Sequence, residues 1–363
     1  MRQARIISLF TALFFVGLLL ISLAAGQESA HEAMYYHRLD GKRVQCVLCP
    51  RRCVIADGQR GVCGVRENRG GTLYTLVYAK PCSLHVDPIE KKPLFHVMPG
   101  AKAFSIATVG CNLRCLFCQN WQISQAAPED VRTRTFFPEE VVAAAQASGA
   151  SVIAYTYTEP TIFYEYMFDI ARLAKKAGIV NVMHSAGFIN EEPLRALAPY
   201  LDAANVDLKG FNERFYNEFC FGNVQDVLRT LKILDEEGVW VEVTNLIIPG
   251  LNDDPKEIRR MCAWIRDNLG PETPLHFSRF WPMHKLRHLA PTSPATLEEA
   301  RRIAMEEGLR YVYIGNIGGH PAEDTVCPGC GKVVVDRAGY IIKELNLVDG
   351  ACAFCGEKID GRW

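Results

Sequence analysis

The stretch Gly110-Cys-Asn-Leu-Arg-Cys-Leu-Phe-Cys-Gln-Asn120 places Cys111, Cys115 and Cys118 in the spacing C-x3-C-x2-C. Three thiolates so spaced can hold three irons of a cubane iron–sulfur cluster, which leaves the fourth iron without a protein ligand. An open iron is a reactive site, because a small molecule can bind it and receive an electron. Zinc would call for a fourth ligand at fixed distance, and no Cys or His follows closely after Cys118. Phe104-Ser-Ile-Ala-Thr-Val109 reads as a strand running straight into the loop, so the cluster is expected at a strand's C-terminal end.

Outward from this loop, further apolar runs read as strands: Val152–Tyr157, Val180–His184, Ala203–Leu208, Val239–Ile248, Leu275–Phe280 and Tyr311–Ile314. Amphipathic stretches lie between them. One opens with Pro138-Glu-Glu, another closes with Lys175-Lys176 before Gly178, and Asp254–Leu269 and Ala295–Glu307 repeat the pattern. Regular β-α alternation predicts a parallel sheet, and six or seven units predict a barrel or partial barrel with its chemistry at the strand C-terminal ends. The expected organisation is a leader over residues 1–29, a Cys-rich module over 30–100, the barrel over 101–318 and a small module over 319–363.

Bulk properties narrow the function. Net charge is −1 with no block of Lys and Arg, so there is no electrostatic case for nucleic acid. Eleven of the 14 cysteines fall in three groups, which favours metal binding over a disulfide framework. Cys82, Cys220 and Cys262 stand alone and read as small buried hydrophobes. At the N-terminus, Arg2 and Arg5 precede an uncharged run from Ile6 to Gly26, long enough for a signal peptide or a membrane anchor. That would put the body outside the cytoplasm, whereas a reduced cluster is more easily supplied inside a cell.

The cysteine spacing, with Phe117 before the third cysteine, resembles the signature of the radical S-adenosylmethionine (SAM) superfamily. The resemblance implies an α/β fold, a partial (βα)6 barrel with the [4Fe–4S] cluster in the loop after its first strand. It also implies a chemistry, in which the reduced cluster cleaves SAM to methionine and a 5'-deoxyadenosyl radical that abstracts hydrogen from substrate. A one-electron donor such as flavodoxin or ferredoxin is implied as a partner.

If SAM occupies the open iron, polar groups at the other strand ends should grip it. Glu159, in Tyr155-Thr-Tyr-Thr-Glu-Pro160, suits the methionyl ammonium. Many superfamily members have Gly-Gly-Glu there, and Tyr157-Thr158 replaces the two glycines. Asp207 and Lys209 alternate along one strand and should point the same way, toward the ribose hydroxyls and the SAM carboxylate. Ile248 and Pro249 offer an apolar platform for adenine, and His184 or Ser185 supplies polarity at the third strand end. His276 and Arg279 are weaker candidates.

Several runs resemble a narrower family, the radical SAM enzyme of the AmmeMemoRadiSam system, which is pyruvate formate-lyase activating-enzyme-like. They are Asp87-Pro-Ile-Glu-Lys-Lys-Pro-Leu-Phe-His96, Cys118-Gln-Asn-Trp-Gln-Ile-Ser124, the Tyr-Thr-Tyr-x-Glu-Pro run, Asn245-Leu-Ile-Ile-Pro-Gly250 and Phe277-Ser-Arg-Phe280. This resemblance implies association with AMMECR1-type and Memo-type proteins without fixing a substrate. Asp87–His96 reads either as a border of the substrate entrance or as a charged surface loop.

The flanks carry the other cysteines. Cys327-Pro-Gly-Cys330 and Cys352-Ala-Phe-Cys355 are each followed by glycine, the pattern of a four-cysteine zinc ribbon, with iron as the alternative. Cys46, Cys49, Cys53 and Cys63 could close a site for zinc or an auxiliary iron–sulfur cluster, or pair as disulfides in an oxidising compartment. Two other readings compete with a radical enzyme of unidentified substrate. One is an activating enzyme that installs a glycyl radical on a partner; the other is a zinc-ribbon binding module without catalysis.

Overall fold

The computed structural model describes residues 30–363, so the apolar run Ile6–Gly26 lies outside the described residues. Among the described residues no helix is long and apolar enough to cross a membrane.

The eight strands of the main sheet are β1 (Ser83–Pro88), β2 (Lys102–Ala107), β3 (Val152–Tyr155), β4 (Val180–Ser185), β5 (Ala203–Asp207), β6 (Trp240–Ile247), β7 (Leu275–Arg279) and β8 (Val312–Gly315). They lie side by side in chain order. β2 to β8 are mutually parallel, and β1 pairs antiparallel with β2. Seven parallel strands exceed by one the six that the resemblance implies. The sheet also starts earlier than expected, because Ser83–Pro88 belongs to it rather than to the N-terminal module.

The intervening helices are α1 (Pro138–Ala147), α2 (Tyr164–Lys176), α3 (Glu191–Leu197), α4 (Val224–Glu236), α5 (Pro255–Leu269) and α6 (Pro294–Glu306). Their starts follow from capping. The Asn223 side chain accepts from the Gln225 amide at 2.8 Å, Asp254 from Lys256 at 2.8 Å, and Ser293 from Thr296 at 3.1 Å. The apolar faces of the helices meet the outward residues of the strands, such as Ile106, Ile153, Met183, Val206 and Val243, in one large core.

The other strand face is covered by the chain itself. Ile89, Leu94 and Val97 pack on Ala103, Val152, Ala154, Val182 and Ala203, in the N-terminal halves of β2 to β5. Polar groups fix this segment. Asn205 donates to the Pro93 carbonyl at 2.7 Å, and the buried Glu242 carboxylate accepts from the amides of Phe95 (3.0 Å) and His96 (2.8 Å). The run Asp87–His96 is therefore not a surface loop. It is a plug in the lower half of the partial barrel, with Glu90, Lys92 and His96 almost completely buried.

The C-terminal module packs below the plug through Val334, Val335, Ile359 and the half-buried Trp363, which cluster with Phe95, Tyr311 and Tyr313. His96 joins the two parts. Its Nδ1 donates to the Asp360 carbonyl at 2.5 Å, and its Nε2 accepts from the Tyr313 hydroxyl at 2.6 Å. Burial pushes the His96 pKa down to about 4. The unfolded chain therefore binds the extra proton first, and stability is lost as pH falls from about 6.5 toward about 4. A shift of this size corresponds to about 3 kcal/mol. Hydrogen exchange of residues 325–363 should accelerate across that window, and protection that stays flat down to pH 4 would contradict the role given to His96.

Candidate functional site

The three-cysteine loop leaves the C-terminal end of β2 and is pinned on both sides. The Arg114 and Leu116 amides donate to the carbonyls of Cys220 (3.1 Å) and Phe219 (2.9 Å) in a π-helical turn, Tyr216–Cys220. Asn112 donates to the Phe188 carbonyl at 2.7 Å, while Arg51 Nε donates to the Asn112 carbonyl at 2.8 Å. Gly110 sits at φ +96, and a Cβ there would lie 2.6 Å from Val65 Cγ1 and 2.8 Å from the Cys63 carbonyl oxygen. Only glycine allows the loop and the N-terminal module to approach this closely.

Cys111 and Cys115 are buried and Cys118 is half-buried. Burial is the main cause that raises the thiol pKa values of Cys111 and Cys118, whereas Cys115 is raised chiefly by the Cys220 thiol beside it. Metal binding must therefore drive the deprotonation. Donors for thiolates are in place: the Leu113 amide lies 3.3 Å from Cys111 Sγ and the Ser124 hydroxyl 3.2 Å from Cys118 Sγ. The three sulfurs do not converge as ligands of a single ion would. Among the described residues, Cys327, Cys330, Cys352 and Cys355 are the one group of three or more His, Cys, Asp or Glu whose ligand atoms gather within 4.8 Å. A cubane needs the wider arrangement, since its thiolates stand roughly 6 Å apart at separate corners.

The strand face that is plugged below is open above. Along β5, Ala203 meets the plug, Asn205 bonds it, and Asp207, two residues on, carries a network of its own. Lys209 Nζ is 2.8 Å from Asp207 Oδ2, and His184 Nε2, at the top of β4, is 3.1 Å from Oδ1. The side chains of Asp207 and His184 remain about a quarter exposed. Burial opposes ionisation of Asp207, yet Lys209 and His184 together hold its carboxyl well below the usual range. Lys209, against its own burial, is held well above the usual lysine range by Asp207 and then by the sulfurs of Cys115 and Cys220. Those shifts place this network beside the cysteine loop.

Glu159 sits at the end of β3, where it caps the short turn Pro160–Phe163. One oxygen accepts from the Thr161 amide (3.1 Å), the Thr161 hydroxyl (2.7 Å) and the Ser185 hydroxyl (2.7 Å), and the other accepts from the Ala186 amide (2.8 Å). Three donors crowd one oxygen, while the other accepts a single bond and keeps a lone pair. Glu159 and Ser185 thus tie β3 to β4.

Other expectations need correction. Ile248 has no exposure at all and belongs to the helix-facing core, so it presents no platform. Leu246 is half-buried and, two residues beyond Thr244, shares that residue's face of β6. The Phe117 ring is buried 5.8 Å from Phe215, which anchors the loop rather than lining the opening. Ser185 is committed to Glu159, and His184 is the polar group of β4 that faces Asp207. His276 pairs with Glu242 at 2.7 Å near the plug, and Arg279 donates to the Thr292 carbonyl at 2.8 Å.

Two neighbours were not legible. Cys220 carried no motif, yet it lies against Cys115. Tyr157 adopts φ +67, a glycine-like conformation at one of the two positions where relatives have Gly. Such backbone costs about 1–2 kcal/mol for a side-chain-bearing residue. Its hydroxyl donates to Asp87 and lies 3.2 Å from Lys92 Nζ, which stands 4.5 Å from the ring centroid. These contacts offset the strain.

In the C-terminal module, Cys327 and Cys355 sulfurs are 3.6 Å apart and those of Cys330 and Cys352 are 3.7 Å apart. A tetrahedral zinc with bonds of about 2.3 Å requires edges of about 3.8 Å. These four thiols can hold a metal ion.

The family model described as "Radical SAM superfamily" matches residues 105–264. An uncharacterized protein of Methanocaldococcus jannaschii is 50% identical over 331 residues, which cover 91% of this chain and 98% of that protein. Pyruvate formate-lyase 1-activating enzyme of Escherichia coli is 25% identical over 222 residues, 56% of this chain and 89% of the enzyme. A crystal structure of a domain of pyruvate-formate lyase-activating enzyme from Bacteroides vulgatus superposes with a TM-score of 0.40 and 18% identity, over 45% of this chain and 98% of that one.

Proposed function

This chain belongs to the radical SAM superfamily, and from that premise we propose that it cleaves SAM reductively at a [4Fe–4S] cluster held by Cys111, Cys115 and Cys118. The observation that carries the reading is the placement of two buried thiols, Cys111 and Cys115, and the half-buried Cys118 at the C-terminal mouth of a parallel sheet, beside the charged network of Asp207 and Lys209. When bound, the cluster supplies one electron to SAM, releasing methionine and a 5'-deoxyadenosyl radical that takes hydrogen from substrate.

The chain's own residues bind and orient. Lys209 and Asp207 meet opposite needs of one ligand, the ammonium pairing with the SAM carboxylate and the carboxylate accepting from ribose hydroxyls. His184 holds Asp207 from the other side, so the carboxylate stays fixed when Lys209 turns to the ligand. Leu246 offers adenine an apolar contact. Glu159 and Ser185 keep the ends of β3 and β4 together, and the plug keeps water from entering from below.

The test is anaerobic. Reconstituted full-length protein with a low-potential reductant, flavodoxin or ferredoxin, and SAM should yield 5'-deoxyadenosine, and none forms if the reading is wrong. Asp207→Asn should raise the apparent KM for SAM about 10- to 100-fold, the loss of one charge-assisted contact, while iron content stays unchanged. An unaltered KM would remove Asp207 from the binding site.

For the hydrogen donor, we favour a molecule or peptide handled together with AMMECR1-type and Memo-type partners, on the narrower motif runs. The similarity to the Escherichia coli activating enzyme supports a second reading, a glycyl residue on a partner enzyme. An EPR-detectable glycyl radical on a co-incubated partner would favour the second. The tetrahedral sulfur spacing of Cys327, Cys330, Cys352 and Cys355 supports structural zinc there.

A further inference from the structure

We propose that Cys46, Cys49, Cys53 and Cys63 bind a second four-iron cluster in the cavity they line beside the three-cysteine loop. All four thiols are free, and all four face one cavity whose other walls include Leu48, Ile55 and Ile162. Antiparallel pairing of Val44–Cys46 with Val54–Ile55 and the bond from the Cys46 amide to the Cys53 carbonyl (2.9 Å) fold the first three cysteines into one turn. The hairpin that follows Cys63 then delivers Arg66.

Arg66 is the second observation. It is 1% exposed and lines this cavity, its Nη1 lies 3.7 Å from Cys46 Sγ, and its buried Nε has no hydrogen-bond partner. A buried guanidinium N–H without an acceptor is costly, and thiolate or sulfide sulfur in the cavity would supply one. Arg51 lines the same cavity, so two cations face the four thiolates.

Spacing separates an ion from a cluster. The C-terminal quartet meets the zinc tetrahedron at 3.6 and 3.7 Å. The N-terminal quartet does not gather in that way, since no three of its sulfurs lie within 4.8 Å of one another. They surround a void instead. A void ringed by four separated thiols suits an iron–sulfur cube, whose four irons each take one outward thiolate, better than a single zinc ion, which draws four sulfurs together. Asn112 lies in the cavity wall and sits between Cys111 and Cys115, so the two centres share a partition.

This inference stands apart from SAM cleavage and is tested apart from it. Full-length protein is reconstituted anaerobically with ferrous iron and sulfide, then assayed for metals and by Mössbauer spectroscopy. Wild type should carry about eight irons and about one zinc, and the triple variant Cys111→Ser, Cys115→Ser, Cys118→Ser should keep about four irons with a cubane spectrum. Adding Cys49→Ser and Cys53→Ser to that variant should remove them. The triple variant leaves the N-terminal module intact, so it decides the matter even if the quintuple variant misfolds. An iron-free triple variant, a second equivalent of zinc, or recovery of these cysteines as disulfides would overturn the proposal. Failure of the SAM reading would show differently, as wild type rich in iron that forms no deoxyadenosine.

Discussion

Cys115→Ala is expected to reduce 5'-deoxyadenosine formation by at least about a thousandfold, because a cubane with only two protein thiolates is not retained in a reactive position. Among the three cysteines Cys115 gives the sharpest test. It lies against Cys220, and it is one of the groups that raise Lys209. Its loss should therefore be felt at the Asp207–Lys209 network as well as in iron content. The measurements are iron stoichiometry, the EPR signal of the reduced centre and product formation, all on anaerobic protein. If iron were lost while product persisted, the chemistry would have to be placed elsewhere. If iron and product both survived, Cys220 would be the replacement ligand to examine, through Cys115→Ala with Cys220→Ala.

Glu165→Gln carries the largest expected effect on stability. Glu165, on α2, forms an ion pair with Arg66, and both side chains are only 2% exposed. The same carboxylate oxygen accepts from the Met34 amide at 2.7 Å, and Arg66 donates to the Met34 carbonyl at 2.9 Å. The pair therefore fastens the N-terminal module to the barrel. Removing the charge takes from buried Arg66 its one carboxylate partner, which costs about 3–5 kcal/mol. Denaturant unfolding should shift by that amount, with proteolysis appearing first between residues 30 and 82. A change below about 1 kcal/mol would mean the pair is already solvated.

The parts of the fold that were legible follow from periodicity. Seven apolar runs separated by amphipathic segments give the parallel strands in order, since strand and helix faces repeat with different periods. A cap such as Asp254 marks a helix start because the side chain bonds the backbone locally. The cysteine groups were legible because ligand spacing is itself a short-range property. What escaped the sequence depends on contacts made across the fold. The charged run Asp87–His96 has the composition of a surface loop, and only partners brought from β5 and β6, such as Asn205 and Glu242, make its burial tolerable. Ile248 is fully buried where Leu246 is half-buried, because the strand ends at Ile247 and strand alternation no longer governs the residues beyond it. Cys220 reaches Cys115 through a π-helical turn that no local pattern announces.

Because residues 89–97 stopper the lower end of the barrel, that end offers no way in to Asp207 and Lys209. A ligand approaches them from the side where the strands finish.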